Sequence, residues 1–317
     1  MKKTMVMMLV AASFSIASSS FATESIQLTG EAAVKYARET ASGEPNASGT
    51  MSTLKLKAEK ELGNGWSLYA RFGAQYATKP TLSDYNLDDY GSDRKSVLAV
   101  DQFGLVYKGN NVTYKLGRQD LTVGTTALLY SRSDSNIGKH VFVDGLTASG
   151  TVGAIDLTAA IAREDNYGSP ENKIYTIRTG FNPTQNLNWG LTLGRYQDDA
   201  SENTNHWAVD GTYKAGKNSW TAEYTKSSSS TENKAYAATW NYGFDNKTEA
   251  YITGFRVENN GDMGKQSDFD NDNKGTYYGV KYKLSEADGV EVVYKDQKII
   301  SSDQKNTKLE ATFTHSF

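Results

Sequence analysis

The chain has 317 residues, a formal net charge of -3 and no cysteine. So weak a charge argues against nucleic acid as a partner, and a chain without cysteine cannot be held together by disulfides. Its 20 tyrosines and 28 glycines against only 4 prolines favour many β-strands joined by tight turns. The mean hydropathy of -0.59 is typical of a soluble protein, but a barrel that exposes apolar residues only at alternate strand positions has a similar average.

The first 22 residues differ from all that follow. Two lysines precede an apolar run from Met5 to Ala17, and the small residues Ser20 and Ala22 stand where a signal peptidase cleaves. The run is shorter than the roughly 20 residues that a membrane-spanning helix needs, which disfavours an N-terminal anchor. We therefore predict a cleaved secretory signal peptide and a mature chain that begins at Thr23.

From Thr23 onward, segments of about ten residues alternate between apolar and polar side chains. The clearest runs from Trp66 to Tyr76, where every second residue is apolar or aromatic and the residues between include Arg71 and Gln75. Sixteen such segments can be counted, although fourteen or eighteen remain open. The pattern predicts an all-β protein, a single transmembrane antiparallel β-barrel over residues 23–317, rather than a soluble sandwich.

The connections alternate between short turns rich in Gly, Asn or Asp and longer polar loops. Short turns on one side and long loops on the other are typical of outer-membrane barrels, with the turns periplasmic and the loops external. The longest connection covers residues 119–140 and follows the fifth predicted strand. We expect both chain termini on the same side of the membrane because the strand number is even.

Three features resemble the general Gram-negative porin family, the trimeric diffusion channels with 16 strands. They are the C-terminal strand Leu309–Phe317, the hairpin that begins at Phe103 and ends in Gly117-Arg118-Gln119, and the long loop 119–140. The resemblance implies an outer-membrane homotrimer in which each subunit has a water-filled pore for small hydrophilic solutes and ions. It also implies that loop 119–140 folds into the lumen and narrows it.

Strand parity and this resemblance together suggest which charged residues set the constriction and its ion preference. The inward positions are more often basic than acidic, and only charges near the narrowest point matter because salt screens the others beyond about 8 Å. The loop departs from the acidic tip usual in the family. The candidates are Lys35, Lys55, Lys57, Arg71, Arg118, Asp120, Arg132 and Asp134. We expect replacement of Arg71 and Lys55 by glutamate to shift selectivity towards cations.

The last strand resembles the signal that the barrel-assembly machinery recognises, with Phe313, His315 and Phe317 at alternate positions. That machinery and the outer-membrane lipid are the expected partners, and no cofactor is expected. Asp268, Asp270 and Asp272 begin like a calcium loop but lack its required glycine and closing glutamate, so we expect a solvated acidic loop and no metal site.

Three alternatives remain. An outer-membrane enzyme would need a nucleophile and a base, yet the three histidines, His140, His206 and His315, lie in no recognisable catalytic motif. A substrate-specific channel, for a sugar or another nutrient, would use an aromatic track, for which Tyr69, Tyr196 and Tyr277 are inward candidates. An adhesin is the third. Conductance in a planar bilayer would separate a pore from the enzyme and the adhesin.

Overall fold

The computed structural model describes residues 26–79, 95–166, 171–200 and 202–317. The predicted signal peptide and the start of the mature chain lie outside the described residues. The described strands, in chain order, are β1 (Gln27–Ala41), β2 (Ala47–Gly63), β3 (Trp66–Ala77), β4 (Ser96–Lys108), β5 (Val112–Gln119), β6 (Leu121–Val123), β7 (Tyr130–Arg132), β8 (Val143–Val152), β9 (Ile155–Glu164), β10 (Lys173–Thr184), β11 (Leu187–Gln197), β12 (Thr204–Ala215), β13 (Asn218–Ser227), β14 (Lys234–Gly243), β15 (Thr248–Val257), β16 (Asn273–Lys283), β17 (Asp288–Ile299) and β18 (Lys305–Ser316).

Sixteen of these strands form one closed antiparallel barrel, in which β1 pairs with β18 and β5 pairs with β8. The prediction of a 16-stranded all-β barrel is confirmed. The remaining two strands, β6 and β7, form a small separate hairpin within the connection between β5 and β8. Closure leaves no strand edge unpaired, which stabilises a sheet of this size without any disulfide. Within the described residues, no helix is long and apolar enough to cross a membrane.

Alternation along each strand separates an outward apolar face from an inward polar face. In β3, Trp66, Leu68 and Tyr76 are exposed on the outside, whereas Arg71 and Gln75 are buried on the inside. Aromatic side chains recur on the outward face near both ends of the strands, as in the girdles that place barrels in a membrane. The barrel thus has a hydrocarbon-compatible exterior and a polar lumen.

A β-bulge in β4 interrupts this alternation. Arg71 of β3 faces Gln102, but its neighbour Phe72 faces Val100, so Asp101 is an extra residue in the ladder. The bulge directs two successive side chains, Asp101 and Gln102, into the buried interior. Outward residues accordingly change from even to odd numbers along β4, which the sequence analysis did not take into account.

Candidate functional site

The connection between β5 and β8 folds into the barrel and lies against its inner wall. Its Leu121, Val123, Leu129 and Tyr130 pack with apolar side chains of β8 to β12. Leu129 and Tyr130 have no exposed surface, although they belong to a loop of a barrel whose lumen is otherwise polar. Burial of these side chains favours the inward position because it removes their apolar surface from water. We call residues 120–142 the inner loop.

One end of the inner loop is attached to the far wall by two threonines. The backbone N–H and the hydroxyl of Thr126 both donate to Glu223 Oε2 of β13, at 2.8 Å each. The Thr125 hydroxyl donates to Asp210 of β12. The Nε of Arg178 also donates to Asp210, at 2.9 Å, and so offsets part of the acidic charge of this wall.

The other end of the inner loop is attached through Arg71, which is buried. Its guanidinium makes a two-pronged pair with Asp101, with both N–O distances 2.8 Å, and contacts Asp134 Oδ1 of the loop at 2.8 Å. It also donates to the backbone carbonyls of Asp134 and Asn136, at 2.7 Å each. The Gln102 amide adds a bond of 2.9 Å to Asp134. The β4 bulge makes this arrangement possible because it aims Asp101 and Gln102 into the same space.

A third attachment lies between these two. Arg132, Tyr130 and Tyr196 all contact Glu164 of β9, with N–O or O–O distances of 3.4, 3.0 and 3.0 Å. Arg132 also donates to Asn166 Oδ1. Glu164 is nearly fully buried, and a carboxylate in such a place needs this full set of donors.

A second connection, residues 258–272 between β15 and β16, covers the inner loop. The Met263 amide donates to the carbonyl of Leu129 at 2.8 Å, and the Asp268 amide donates to that of Ala127 at 3.1 Å. Phe269 stacks on Phe255 of β15 and on Tyr277 of β16. The sequence analysis treated this segment as a solvated acidic loop, and it missed the inward position.

A cavity of about 570 Å³ remains between the inner loop and the wall formed by β13 to β18. On the loop side it is bounded by hydroxyl groups, those of Thr125, Thr126 and Ser135. The wall contributes acidic, basic, hydroxyl and aromatic side chains, among them Tyr277. The narrowed lumen beside the loop is therefore open and predominantly polar.

Glu310 of β18 is the centre of a basic cluster on this wall. It is contacted by the Nζ atoms of Lys35, Lys295 and Lys308, at 3.1, 2.8 and 3.3 Å. Three ammonium groups thus surround one carboxylate. Among the four, Lys295 and Glu310 line the cavity itself.

The structure brings some of the predicted constriction residues together. Lys55 contacts Glu31 at 2.7 Å and the carbonyl of Asp134 at 3.4 Å, which places it beside Arg71 at the loop. Lys57 is opposite Arg71 in register but is exposed. Arg71 lies under the loop and Arg132 belongs to it. Both side chains are buried, so they hold the loop rather than present charge to the lumen.

Two other predicted residues lie away from the cavity. Asp120 pairs with Lys115 at 2.9 Å. Arg118 does not face the loop from inside, which corrects the expectation for this residue. It is paired in register with Phe103, whose side chain is exposed outward, and it contacts Asp144 at 2.9 Å on the same outer face. Arg118 is two residues from outward Leu116 on the same strand, so the alternation of β5 already indicated that Arg118 faces outward.

The tyrosines proposed for a sugar track and the histidines considered for an enzyme do not come together in one site. Tyr69 donates to the carbonyl of Arg118 at 3.0 Å, and both Tyr69 and Tyr196 are buried beneath the loop. Of the three tyrosines of the predicted track, only Tyr277 lines the cavity. His140 contacts Asp165, His206 contacts Thr204 and His315 contacts Asp288. Within the described residues, no group of side chains suited to hold a metal ion is found.

Comparison with known proteins decides the family. The model of the Gram-negative porin family matches residues 4–317, nearly the whole chain. The chain belongs to the Gram-negative porin family. The family and the fold make this porin an outer-membrane diffusion channel.

Solved porin structures have the same fold. Two mutants of the Rh. blastica porin superpose with TM-scores of 0.61, at 11% and 12% identity, and cover 91% and 92% of this chain and 100% of theirs. A triple mutant of the Rhodopseudomonas blastica porin gives a TM-score of 0.60 at 10% identity, covering 92% of this chain and 100% of its own. At such identities the likeness is one of fold alone. Among curated proteins, no sequence match is found.

Proposed function

We propose that this porin is a homotrimeric, non-enzymatic pore through which small hydrophilic solutes and ions diffuse passively. The observation that carries this function is the polar cavity of about 570 Å³ left between the inner loop and the barrel wall. The proposal includes export by a cleaved signal peptide, insertion by the barrel-assembly machinery and contact with outer-membrane lipid. Large ohmic steps in a planar bilayer are the expected result for the purified protein, and an absence of conductance would contradict the pore.

We further propose that the basic cluster around Glu310 gives the pore a preference for anions. Three lysine ammonium groups lie around one carboxylate there, and charges beside a narrow lumen are screened less than charges on the exterior. The predicted site residue Lys35 belongs to this cluster, whereas Arg71 is tied to the inner loop. Replacing Arg71 and Lys55 by glutamate would therefore also release the loop, and its effect on selectivity alone could not be measured.

The selectivity proposal is tested with Lys35→Gln and Lys308→Gln combined. Glu310 keeps Lys295 as its partner, so the carboxylate stays paired while two of the three ammonium groups around it are removed. We expect the zero-current potential in a salt gradient to shift towards cations, with single-channel conductance nearly unchanged. The control is Lys217→Gln with Lys247→Gln, in the short turns, which should leave the potential unaltered. A potential equal to that of the wild type in the first variant would refute the assignment.

A second candidate function is a channel with a preferred sugar-like substrate. Tyr277, Phe269 and Tyr251 all line the cavity, beside the hydroxyl groups of Thr239 and Thr253. Aromatic faces and hydroxyl groups together suit a sugar ring. Saturable block of ion current by a sugar, lost in Tyr277→Ala, would favour this function, whereas uptake strictly proportional to sugar concentration would favour the general pore.

A further inference from the structure

A separate cavity of about 360 Å³ lies at the mouth of the barrel, at the end that carries the long loops. Its wall is formed by side chains of β1, β16, β17 and β18, among them Asn273, Gln297 and Asn306. Glu44, from the turn after β1, and Asp270, from the connection before β16, also line it. Its volume is in the range of pockets that bind small molecules, about 300–1,000 Å³. We call this cavity the mouth pocket.

Two asparagine side chains of the mouth pocket have carbonyl oxygens without a hydrogen-bond partner among the described residues. Asn273 is only 8% exposed, and its Nδ2 already donates to the carbonyl of Asn271 at 2.9 Å, which leaves Oδ1 unpaired. The Nδ2 of Asn306 donates to Glu39 at 2.7 Å, and its Oδ1 is unpaired in the same way. Because a buried acceptor without a donor costs free energy, the mouth pocket favours an occupant that supplies N–H donors.

The mouth pocket also carries negative charge. Glu44 and Asp270 are exposed, and no basic side chain of the described residues lies within ion-pair distance of either carboxylate. Asp270 accepts a hydrogen bond from the neutral amide of Gln297. Lys305, a basic residue of the lining, is paired with Asp296 at 3.1 Å. An ammonium group fits this environment, since it has a positive charge and three donors but no acceptor.

The basic cluster around Glu310 lies one step further into the barrel. Asn306 is in register with Gln297, and Lys308 is in register with Lys295. The two rows are therefore two residues apart on both strands, which is about 7 Å along the strand. Because alternate residues point to the same face, both lysines face the same lumen as the two amides. A solute at the mouth thus meets acceptor and acidic groups towards the long loops and ammonium groups further in.

We propose that the mouth pocket and the basic cluster together bind short zwitterionic solutes whose ammonium and carboxylate groups are several ångströms apart, such as dipeptides. The ammonium group lies in the mouth pocket against Asn273 and Asp270, and the carboxylate reaches Lys295 and Lys308. A simple cation gains only the first set of contacts and is repelled by the lysines, whereas a simple anion gains only the second set. This rests on the proposed pore and on its basic cluster, and it adds the class of solute that binds there.

The experiment measures block of the ion current through the porin in a planar bilayer by four small solutes of similar size. The probe is 6-aminohexanoate, which is zwitterionic at neutral pH and has its charges at opposite ends. Hexylammonium and hexanoate each keep one of these charges, and norleucine is an isomer of the probe whose two charges are adjacent. We expect half-maximal block by the probe at a concentration about tenfold lower than for the other three, the factor that one charge-assisted hydrogen bond contributes. Equal block by hexylammonium or by norleucine would overturn the proposal.

The test variant combines Glu44→Gln and Asp270→Asn, which remove the two carboxylates of the mouth pocket with little change in shape. Half-maximal block by 6-aminohexanoate should then need about tenfold more solute, whereas block by hexanoate should not weaken. The matched control, Asp199→Asn with Glu232→Gln, removes two exposed carboxylates from other loops at the same end and should be blocked as the wild type is. Asn273→Leu removes the unpaired oxygen and should also weaken block by the probe. Wild-type block in the test variant would refute the site.

Conductance without added solute separates the zwitterion site from the pore itself. A channel that conducts normally but is blocked equally by 6-aminohexanoate and by the two singly charged solutes would refute the site and leave the pore intact. A protein without conductance would refute both, because the site rests on the pore.

Discussion

Arg71 shows how a charged side chain can be buried in this barrel without a large energetic penalty. All of its guanidinium nitrogens donate to oxygen atoms, those of Asp101, Asp134 and Asn136. A buried ion needs such a complete set of partners to offset its loss of hydration. Asp101 depends on the same pair, since its side chain has no exposed surface. Removal of Arg71 would leave a buried, uncompensated carboxylate.

The first prediction at this scale concerns Arg71→Gln. Breaking a buried pair from one side costs about 3–5 kcal/mol, and we expect that loss to detach the Asp134 end of the inner loop. Single-channel conductance should rise and its noise should increase. Lys57→Gln is the matched control, because Lys57 is opposite Arg71 in register but is exposed. A conductance trace of Arg71→Gln that matches that of Lys57→Gln would show that Arg71 does not anchor the loop.

At the residue scale, the sequence predicted which side chains face inward better than it predicted what those side chains do. Alternation correctly placed Lys35, Lys55 and Arg71 on the inward face. Alternation could not show that the Arg71 side chain is bound to the inner loop. Its partner Asp101 points inward only because of the bulge in β4. Glu310 was not among the predicted site residues. Lys308 is only two residues away on the same strand, but Lys295 comes from β17 and Lys35 from β1 at the other end of the chain, so the sequence did not show the cluster.

At the scale of elements, two connections act together inside the barrel. The inner loop was expected from the resemblance to porins, and its apolar residues support that expectation. The segment 258–272 was not expected to fold inward because it is polar and acidic. Only Met263 and Phe269, both buried against the inner loop or the wall, gave a sequence signal for its docked position. Two apolar residues in fifteen are too few to distinguish docking from chance.

The docked segment contains an unusual carboxylate, and the prediction at this scale concerns pH. Asp262 is buried, its Oδ2 has no hydrogen-bond partner, and burial raises its pKa to about 6 despite its contact with Asn271. A carboxyl with a raised pKa favours the docked state fully below its ordinary pKa near 4 and loses that contribution as pH rises through 6. The difference is on the order of 3 kcal/mol.

Hydrogen exchange of residues 258–272 measures this effect. Protection of the Met263 amide should be greater at pH 4 than at pH 7 after correction for intrinsic exchange. Asp262→Asn should remove the pH dependence and keep the protection high at both values, since the amide cannot ionise. Asp272→Asn is the control, because Asp272 lies in the same segment but bonds to Ser301 at the surface. A pH dependence that survives in Asp262→Asn would assign the effect to another group.

At the scale of the whole molecule, the sequence was sufficient for the fold because one rule applies to every strand. A lipid-compatible exterior and a polar interior require alternation, and alternation over sixteen segments determines the barrel with little help from tertiary detail. The rule fails where pairing departs from regular register, as at Asp101 and Gln102. It also says nothing about connections, whose positions depend on contacts with distant strands such as that of Thr126 with Glu223.

Phe317 extends the pairing of β1 with β18 that closes the barrel. The amide of Phe317 donates to the carbonyl of Gly30 at 3.0 Å, and the amide of Gly30 donates back to Phe317 at 2.8 Å, which joins β18 to β1. The ring of Phe317 covers Gly30 so closely that a Cβ at position 30 would lie 2.3 Å from it. Phe317 can therefore contribute to assembly in two ways, through the backbone pair that closes the barrel and through an aromatic signal for the assembly machinery.

The last prediction separates these two contributions. Deletion of Phe317 removes both the backbone pair and the ring, whereas Phe317→Ala removes only the ring, and Phe317→Tyr keeps both. If the ring is the assembly signal, deletion and Phe317→Ala should both lower the amount of heat-modifiable barrel in the membrane, and Phe317→Tyr should restore it. Phe313→Ala removes another outward ring, four residues earlier in the chain, and so controls for the loss of lipid contact. Wild-type amounts of barrel in the Phe317→Ala cells would rule out the aromatic signal, and a defect in the deletion alone would assign the role of Phe317 to closure between β1 and β18.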